Sequence, residues 1–335
     1  MKFLVVGDVH WCKTSSIVRS VGETYSTRLE NLIKSVNWTE EMADRKQVDK
    51  VIYLGDFFDR TDIDAEEGSA LSEIVWSEKP HIFICGNHES STADHRFNLL
   101  NLFNRIGEVI TKPTYDADIK SILYLPYLQD DNRPSLDTFN ADVIFSHNDI
   151  EGINYGAYVS KTGYNIDSIK QNCKRFINGH IHNGTDNGVL VNVGNLTGQN
   201  FCEDAKLYPH RVLLFDCNTL EYESIENPYA FNFYKIKAED TYIPSILNMK
   251  DNMVLTVFCS DKEEETVRSN LRDCSAVVES RLIVTRTKRN TDKNKTVDKT
   301  QSFDHIVKFV EYALENTDDK ETAQEEISEM FGGIG

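Results

Sequence analysis

The sequence lacks the features that mark membrane-spanning, secreted and disulfide-linked proteins. It contains no stretch of about 18 apolar residues, so we predict no transmembrane helix. The N-terminal segment has no long apolar region before a small-residue cleavage site, and the seven cysteines include no Cys-x-x-Cys pair. We therefore expect that the chain has no signal peptide. We also expect its cysteines to be free thiols and its location to be cytoplasmic.

Positive charge is also scarce, because 36 Lys and Arg residues face 54 Asp and Glu residues and leave a net charge of −18. Proteins that bind nucleic acid without specificity usually carry a basic surface, since Lys and Arg release counterions from phosphates. Any contact with nucleic acid would therefore be local, assisted by metal ions or supplied by a partner. The rest of the composition, 40% hydrophobic and 27% charged, is typical of a globular protein, and 335 residues predict about two domains.

Short apolar segments recur through the first two thirds of the chain. They end at Gly, Asn, Asp or Pro and are rich in β-branched residues, which is typical of buried strands. Helical spacing at residues 29–36 and 97–103 predicts helices between strands, and hence an α/β fold in which helices cover a mixed sheet. The predicted strands are Phe3–Val6, Val51–Leu54, Ile82–Cys85, Ile122–Leu125, Val143–Phe145, Phe176–Asn178, Val189–Val193 and Val212–Phe215.

The pattern changes after residue 215. Residues 216–238 predict an antiparallel meander, and residues 250–288 predict a small β-α-β unit. Residues 292–300 have few apolar side chains, as in a linker, and residues 303–310 have the apolar spacing of an amphipathic helix. We therefore predict a core domain, a small domain, a linker and a C-terminal helical segment, at 1–238, 239–290, 291–301 and 302–335.

Side chains that bind metals follow five of the predicted strands directly. Because sites in α/β sheets form beyond the carboxyl ends of strands, we expect these side chains to converge. Imidazole with carboxylate favours Mn, Fe or Zn, and seven ligands fit two ions about 4 Å apart that share one carboxylate. A single such residue is more often a hydrogen-bonded polar residue, but the whole set favours a metal site. The candidate ligands are Asp8, His10, Asp56, Asn87, His147, His180 and His182.

The motifs resemble those of the calcineurin-like metallophosphoesterase superfamily. In order they are Gly7-Asp8-Val9-His10, Gly55-Asp56-Phe57-Phe58-Asp59-Arg60, Gly86-Asn87-His88-Glu89, His147 after a strand, and Gly179-His180-Ile181-His182. The resemblance implies a four-layer β-sandwich flanked by helices and two divalent metals bridged by Asp56. One metal would be held by Asp8, His10, Asp56 and His182, the other by Asp56, Asn87, His147 and His180. It also implies that His88 protonates the leaving oxygen or stabilises its charge, and that Asp59 orients His88.

Within the superfamily, the chain most resembles SbcD-type DNA nuclease subunits, including phage-encoded ones. The segments that carry this likeness are 191–197, 211–216 and 226–233. The resemblance implies an Mn²⁺-dependent exonuclease and endonuclease acting on duplex ends, single strands or hairpins in DNA repair and recombination. It further implies a capping domain and a C-terminal helix, with Phe303 and Ile306 on its apolar face, that binds an SbcC-like coiled-coil ATPase. A homodimer is compatible with it.

Other interpretations stay open at this stage. A protein serine/threonine phosphatase or a cyclic-nucleotide phosphodiesterase of the same superfamily would use similar motifs, with Arg60 clamping a phosphate. A scaffold without activity is the third class, although every candidate position holds a chemically competent residue. Trp11 and Tyr127 could stack on a base or pack in the core, and the basic run 281–299 could contact DNA or be a solvated linker.

Overall fold

The structure, a computed structural model, describes most of the chain up to residue 286. Residues Met1–Arg286 form one compact unit. The predicted linker and the C-terminal helical segment lie outside the described residues. Those described are 1–15, 22–153, 159–242, 249 and 251–286.

The first of three sheets has six strands and is mixed. Across the sheet they are β12 (Glu221–Glu226), β11 (Arg211–Asp216), β1 (Lys2–Val6), β2 (Lys50–Tyr53), β3 (His81–Ile84) and β4 (Gly107–Ile110). β1 to β4 run parallel, with Leu4 opposite Val51, whereas β11 is antiparallel to both β1 and β12. The carboxyl ends of β1, β2 and β3 therefore share one edge of this sheet.

The second sheet has the same strand number and a parallel centre. Across it lie β5 (Thr114–Tyr115), β6 (Ile122–Leu125), β7 (Val143–Ser146), β8 (Arg175–Asn178), β10 (Leu190–Asn192) and β9 (Thr185–Asp186). β6, β7, β8 and β10 run parallel, and the short strands β5 and β9 pair antiparallel at the two edges. The eight strands predicted in the two sheets are confirmed, with ends that differ by no more than one residue.

Alternate residues of each central strand face opposite sides, so one strand serves two cores. Phe3 of β1 packs between the two sheets, whereas its neighbour Leu4 packs under the helices on the outer face. Helices α1 (Thr27–Arg45) and α2 (Ala65–Leu71) cover the first sheet, and α3 (Ile166–Asn172) covers the second. The four layers are helix, sheet, sheet and helix, which confirms the predicted α/β class and layering.

A smaller parallel sheet follows the sandwich. It consists of β13 (Asn232–Lys237), β14 (Met253–Ser260) and β15 (Val277–Thr285), with α4 (Glu264–Arg272) between the last two. Val267 and Leu271 of α4 are buried against the sheet. The β-α-β unit predicted within residues 250–288 is therefore confirmed.

The predicted meander is only half right. β12 returns antiparallel to β11 as expected, but β13 pairs in parallel with β14 in the small sheet. Phe233 and Tyr234 of β13 are buried in different apolar clusters on its two faces. A parallel partner that lies further along the chain leaves no local signal, so the pattern of β13 alone did not reveal it. The domain boundary at residue 238 stays a prediction.

Helix lengths differ more from the predictions. α1 continues past the expected end near Asn37, because Met42 and Ala43 extend its buried face. It begins after Ser26, whose hydroxyl accepts a hydrogen bond from the Leu29 amide at 3.2 Å. The helix expected at 97–103 is a short 3₁₀ helix, Leu99–Phe103, and α2 was not predicted. No helix in the described part of the chain is long and apolar enough to span a bilayer.

Candidate metal centre

The seven predicted ligands all lie just beyond the carboxyl ends of strands. Three of these strands belong to the first sheet and two to the second, and their ends face one another. This is the expected place for a site in such sheets. In chain order, β1, β2, β3, β7 and β8 are followed by Asp8 and His10, Asp56, Asn87, His147, and His180 and His182.

The backbone turns sharply at three of these positions. The φ angles of His10, Asp56 and His180 are 51°, 47° and 67°. These values lie in the left-handed region, which residues other than glycine rarely adopt. Such strain persists where the surroundings over-determine it, and it clusters at functional sites. Here the His10 amide donates to the Asp56 carbonyl at 2.9 Å, and the His180 amide donates to Asp8 Oδ1 at 2.9 Å. Main-chain amides of His10 and His180 therefore join these loops to one another, in one case through a carbonyl and in the other through the Asp8 carboxylate.

Glycine at position 55 is required by the same crowding. Its φ is 105°, and a Cβ atom there would lie 2.5 Å from His147 Nδ1. The absence of a side chain therefore lets the imidazole of His147 approach the end of β2.

One candidate group consists of Asp8, His10 and His182. The Nε2 atoms of the two imidazoles are 2.9 Å apart. Asp8 Oδ2 lies 3.9 Å from the first and 3.7 Å from the second, and it is buried without a hydrogen-bond partner. A buried carboxylate oxygen of this kind is costly unless a donor or a cation compensates it. The arrangement fits a cation held between the three side chains.

The second group consists of Asp56, His147 and His180, with Asn87 between the two imidazoles. His147 Nε2 lies 3.1 Å from Asp56 Oδ2 and 3.2 Å from Asn87 Oδ1, and that same amide oxygen lies 3.1 Å from His180 Nδ1. Asp56 Oδ2 is also 4.0 Å from His10 Nε2 of the first group. Asp56 therefore lies between the groups, where a shared carboxylate would be placed.

Nearby charges and hydrogen bonds outweigh the effect of burial on the pKa at three residues of this centre, but not at His182. Burial would lower the pKa of His147, but the nearby charge of Asp56, their hydrogen bond and the charge of Asp8 raise it to about 10. The same attraction outweighs burial at Asp56 and holds its pKa well below the usual range. Burial also acts against His10, whose pKa is nevertheless raised, first by the hydrogen bond to Asp59. At His182, burial and then the neighbouring His10 lower the pKa well below its usual value.

These pKa shifts show that the buried carboxylates stabilise positive charge on the imidazoles beside them. The raised pKa values of His10 and His147 favour their protonated forms, whereas the lowered pKa of His182 favours its neutral form. A bound divalent ion would replace these protons, because a metal ligand must be a deprotonated imidazole. The donors present, imidazole nitrogen with carboxylate and amide oxygen, fit such an ion.

Hydrogen bonds on the far ring nitrogens set the orientation of the imidazoles. His147 Nδ1 donates to the Leu54 carbonyl at 2.7 Å, and His10 Nδ1 lies 3.0 Å from Asp59 Oδ1. In both cases Nε2 is left facing the centre, as in metal sites where an outer partner fixes the tautomer.

Asp59 was expected to orient His88, and it contacts this histidine through its main chain rather than through its carboxylate. The carboxylate bonds to His10 and accepts from Gln199 Nε2 at 3.0 Å, while the Asp59 main-chain carbonyl accepts from His88 Nδ1 at 2.8 Å. Two histidines lie within reach of this residue, and sequence spacing does not show which one its side chain meets. The position of Asp59 therefore matters to both.

His88 differs from the seven ligand candidates in its exposure. Its side chain is 41% exposed, and its Nε2 lies 3.9 Å from Asp56 Oδ2. With Nδ1 engaged by the Asp59 carbonyl, Nε2 is turned towards the centre from its solvent side. This is the position of a group that can meet a bound substrate.

Several polar residues near the centre were not predicted. Glu203 is buried, which raises its pKa to about 7, and its Oε1 lies 3.9 Å from His182 Nδ1. Asp149 lies 3.0 Å from His180 Nε2. The buried Arg28 donates from Nη1 to the Gly198 carbonyl at 2.9 Å. Only Asp149 had a signal in the sequence. It lies two residues after His147, and alternate residues of an extended segment share a face.

Trp11, Tyr127 and Arg60 were candidates for contacts with a substrate, and the structure places them in different surroundings. Trp11 is fully buried, stacks on Phe57 and donates from its indole nitrogen to Glu67, so it belongs to the core. Tyr127 is half-buried, and its ring centroid lies 5.6 Å from that of His180. The guanidinium of Arg60 pairs with Glu67 and with Asp62.

Comparison with known proteins adds a family match. A model of the calcineurin-like phosphoesterase family matches residues 1–213. No curated protein matches the sequence. Among solved structures, 51 chains match, and one of them comes from a study of a novel archaeal phosphodiesterase. That chain is 14% identical with a TM-score of 0.33, and the alignment covers 68% of this chain and 99% of that one.

Proposed function

Because this chain belongs to the calcineurin-like phosphoesterase family and is a metal-dependent phosphoester hydrolase, we propose that it is a DNA nuclease. The observation that carries the proposal is the pair of His/Asp groups with Asp56 between them, beside the exposed His88. Two ions in these groups, most favourably Mn²⁺, would polarise the phosphodiester and lower the pKa of a water molecule.

The side chains of the centre have separate tasks in this proposal. Asp8, His10, Asp56, Asn87, His147, His180 and His182 would hold the ions. His88 would give a proton from Nε2 to the leaving oxygen, since its other nitrogen is fixed by the Asp59 carbonyl. Asp59 would hold His10 in the orientation in which Nε2 faces the ion.

The exposed edge of the centre supports a polymeric substrate. The side chains of His88 and His182 are 41% and 27% exposed, whereas those of His10 and His147 are almost fully buried. A phosphodiester within a strand can approach such an edge while the rest of the strand stays in solvent. The resemblance to SbcD-type subunits, and the β-α-β unit that follows the core, favour DNA over other phosphodiesters.

The net charge of −18 argues for help in binding DNA. We propose that an SbcC-like coiled-coil ATPase supplies much of that surface and that the C-terminal segment 302–335 binds it. Duplex ends, single strands and hairpins would then be cut as part of DNA repair and recombination.

One of the observations behind the phosphatase alternative, a phosphate clamp at Arg60, is weakened by the contacts of that side chain. A phosphate clamp needs a guanidinium that is available to the substrate, but Glu67 and Asp62 engage this one. The proposal is tested by offering duplex DNA, single-stranded DNA, hairpin DNA, a phosphopeptide and a cyclic nucleotide in Mn²⁺. The variant Asp56→Asn serves as the inactive control.

We expect cleavage of at least one DNA form, above the rate on the other two substrates. Faster hydrolysis of the phosphopeptide or the cyclic nucleotide would overturn the DNA assignment and leave the hydrolase in place. Bis(p-nitrophenyl) phosphate, tested in parallel, reports the chemical step itself.

A further inference from the structure

The contact between Asp149 and His180 is not part of either metal-ligand group. His180 presents Nδ1 to Asn87 Oδ1 at 3.1 Å, on the side where Asp56 and His147 lie. Its other nitrogen, Nε2, lies 3.0 Å from Asp149 Oδ1. The two ring nitrogens of this histidine therefore face different surroundings.

Both ring nitrogens of His180 face oxygen atoms that accept hydrogen bonds, but a neutral imidazole has only one proton. The charged carboxylate of Asp149 is a stronger acceptor than the amide oxygen of Asn87, so the proton of a neutral His180 belongs on Nε2. That leaves a lone pair on Nδ1, directed at the second group. We propose that Asp149 is a positioning residue of the metal centre, which fixes the ring and the tautomer of His180 so that Nδ1 is available to the ion.

The surroundings of Asp149 hold its carboxylate in place. Arg133 Nη2 lies 3.5 Å from Asp149 Oδ2, and the amide of Tyr164 donates to the Asp149 main-chain carbonyl at 2.9 Å. Burial raises the pKa of Tyr127, and the charge of Asp149 and a hydrogen bond to it add to that shift. Arg133 thus lies beside Oδ2 of this carboxylate, while Oδ1 faces the imidazole of His180.

The loop after β7 can supply both a candidate metal ligand and the residue that positions a second candidate ligand. His147 and Asp149 follow β7 two residues apart, so the loop supplies a candidate ligand and the partner of another candidate ligand. His180 comes from the neighbouring parallel strand β8 and meets both. The support is therefore built between adjacent strands of one sheet.

The contacts of Arg133 provide a matched control variant, Asp130→Ala. Arg133 also donates to Asp130 Oδ1 at 2.5 Å and to the Leu128 carbonyl at 3.0 Å, so it has partners that do not depend on Asp149. Asp130→Ala removes a carboxylate from the same guanidinium but leaves the contact with His180. If Asp149 acted only as a structural partner of Arg133, the variants Asp130→Ala and Asp149→Ala would behave alike.

The first measurement uses the metal-free wild-type chain. Nitrogen-15 NMR of the imidazole rings, recorded well above the ordinary histidine pKa of about 6.5, distinguishes the ring nitrogen that carries the proton. We expect His180 to be the Nε2–H tautomer in the wild type and a mixture of tautomers in Asp149→Ala. A wild-type His180 with its proton on Nδ1 would overturn the proposal without any variant.

The second measurement is Mn²⁺ binding by calorimetry. Loss of an outer partner typically weakens a metal site by about 10–100-fold, and we expect this for one of the two ions in Asp149→Ala. Asp149→Asn should recover most of the affinity because its amide oxygen can still accept from Nε2, and Asp130→Ala should match the wild type.

Unchanged Mn²⁺ affinity in a folded Asp149→Ala protein would refute the positioning role. So would equal losses in Asp149→Ala and Asp130→Ala. The inference does not depend on DNA as substrate, since it is read from NMR and from metal binding.

Discussion

Replacing His88 by alanine separates proton donation from metal binding. The imidazole is 41% exposed, and the hydrogen bond of its Nδ1 goes to a main-chain carbonyl, that of Asp59. Its removal leaves all seven ligand candidates in place and creates no buried cavity. We therefore expect an unchanged fold and a loss of stability within about 1 kcal/mol, the usual scale of one hydrogen bond.

The expected kinetic cost is much larger. General acid–base catalysis contributes roughly 10²–10⁴-fold, which corresponds to about 2.7–5.4 kcal/mol of barrier at 1.36 kcal/mol for each factor of ten. This cost applies when the leaving oxygen is a strong base, as in DNA. A p-nitrophenolate leaving group needs little protonation, so its hydrolysis should fall by a factor of ten or less, about 1.4 kcal/mol.

The assay compares the variant His88→Ala with the control Arg96→Ala, an exposed residue of the same loop whose guanidinium stacks on Phe97. Both are tested on DNA and on bis(p-nitrophenyl) phosphate, and their bound metal is measured. The structure allows a second role, because His88 can join His10 and Asp56 around one ion. Loss of metal from His88→Ala would show that His88 acts as a ligand. Equal loss of rate on both substrates would show that it does not act by proton donation, and either result would refute the reasoning.

Three further predictions concern the ions and the C-terminal segment. Asp56→Asn should lose more bound metal than His180→Ala, since Asp56 lies within 4.0 Å of both groups, and elemental analysis measures this; equal losses would contradict a shared carboxylate. Metal affinity should rise with pH up to about 10, because the raised pKa of His147 keeps a proton where the ion must bind, by about tenfold per unit for each displaced proton. Calorimetry in buffers of different ionisation enthalpy should count the protons that are released when the metal binds. A metal affinity that does not change with pH would contradict this prediction. Truncation after Lys299 should preserve metal binding and hydrolysis of bis(p-nitrophenyl) phosphate but abolish co-purification with the partner ATPase, whereas loss of metal would show that the segment supports the core.

The fold could be predicted from sequence where the signal is local. Strands such as β6 and β7 are continuous apolar runs between turn residues, so their positions depend on a few adjacent side chains. The length of α1 was underestimated because its buried face continues through polar positions, such as Glu40, that are satisfied only by tertiary partners. Glu40 is buried and accepts hydrogen bonds from Tyr53 and His81, which lie on β2 and β3.

The convergence of the centre could be predicted for the same reason. Each candidate ligand is tied to the end of a strand, and parallel strands bring their ends to one edge. Hydrogen bonds between loops could not be predicted, because they depend on the path of each loop after the strand. Asp59 meets the imidazole of His10 with its side chain and that of His88 with its main chain, and its spacing from Asp56 fits either contact.

The hydrogen-bond partners of the imidazoles and the pKa shifts of the histidines have the same physical cause, which is the burial of several carboxylates. Asp8, Asp56 and Asp59 are gathered at the buried end of the sheets, and carboxylates there are stable only beside positive charge. The raised pKa values of His10 and His147 reflect this attraction between carboxylate and imidazolium. Since protons and divalent ions compete for the same nitrogens, any substitution that weakens the carboxylates should lower the affinity for both. Metal affinity and histidine pKa should therefore fall together across variants of Asp8 and Asp59, whereas a variant that only misdirects an imidazole should lower metal affinity alone.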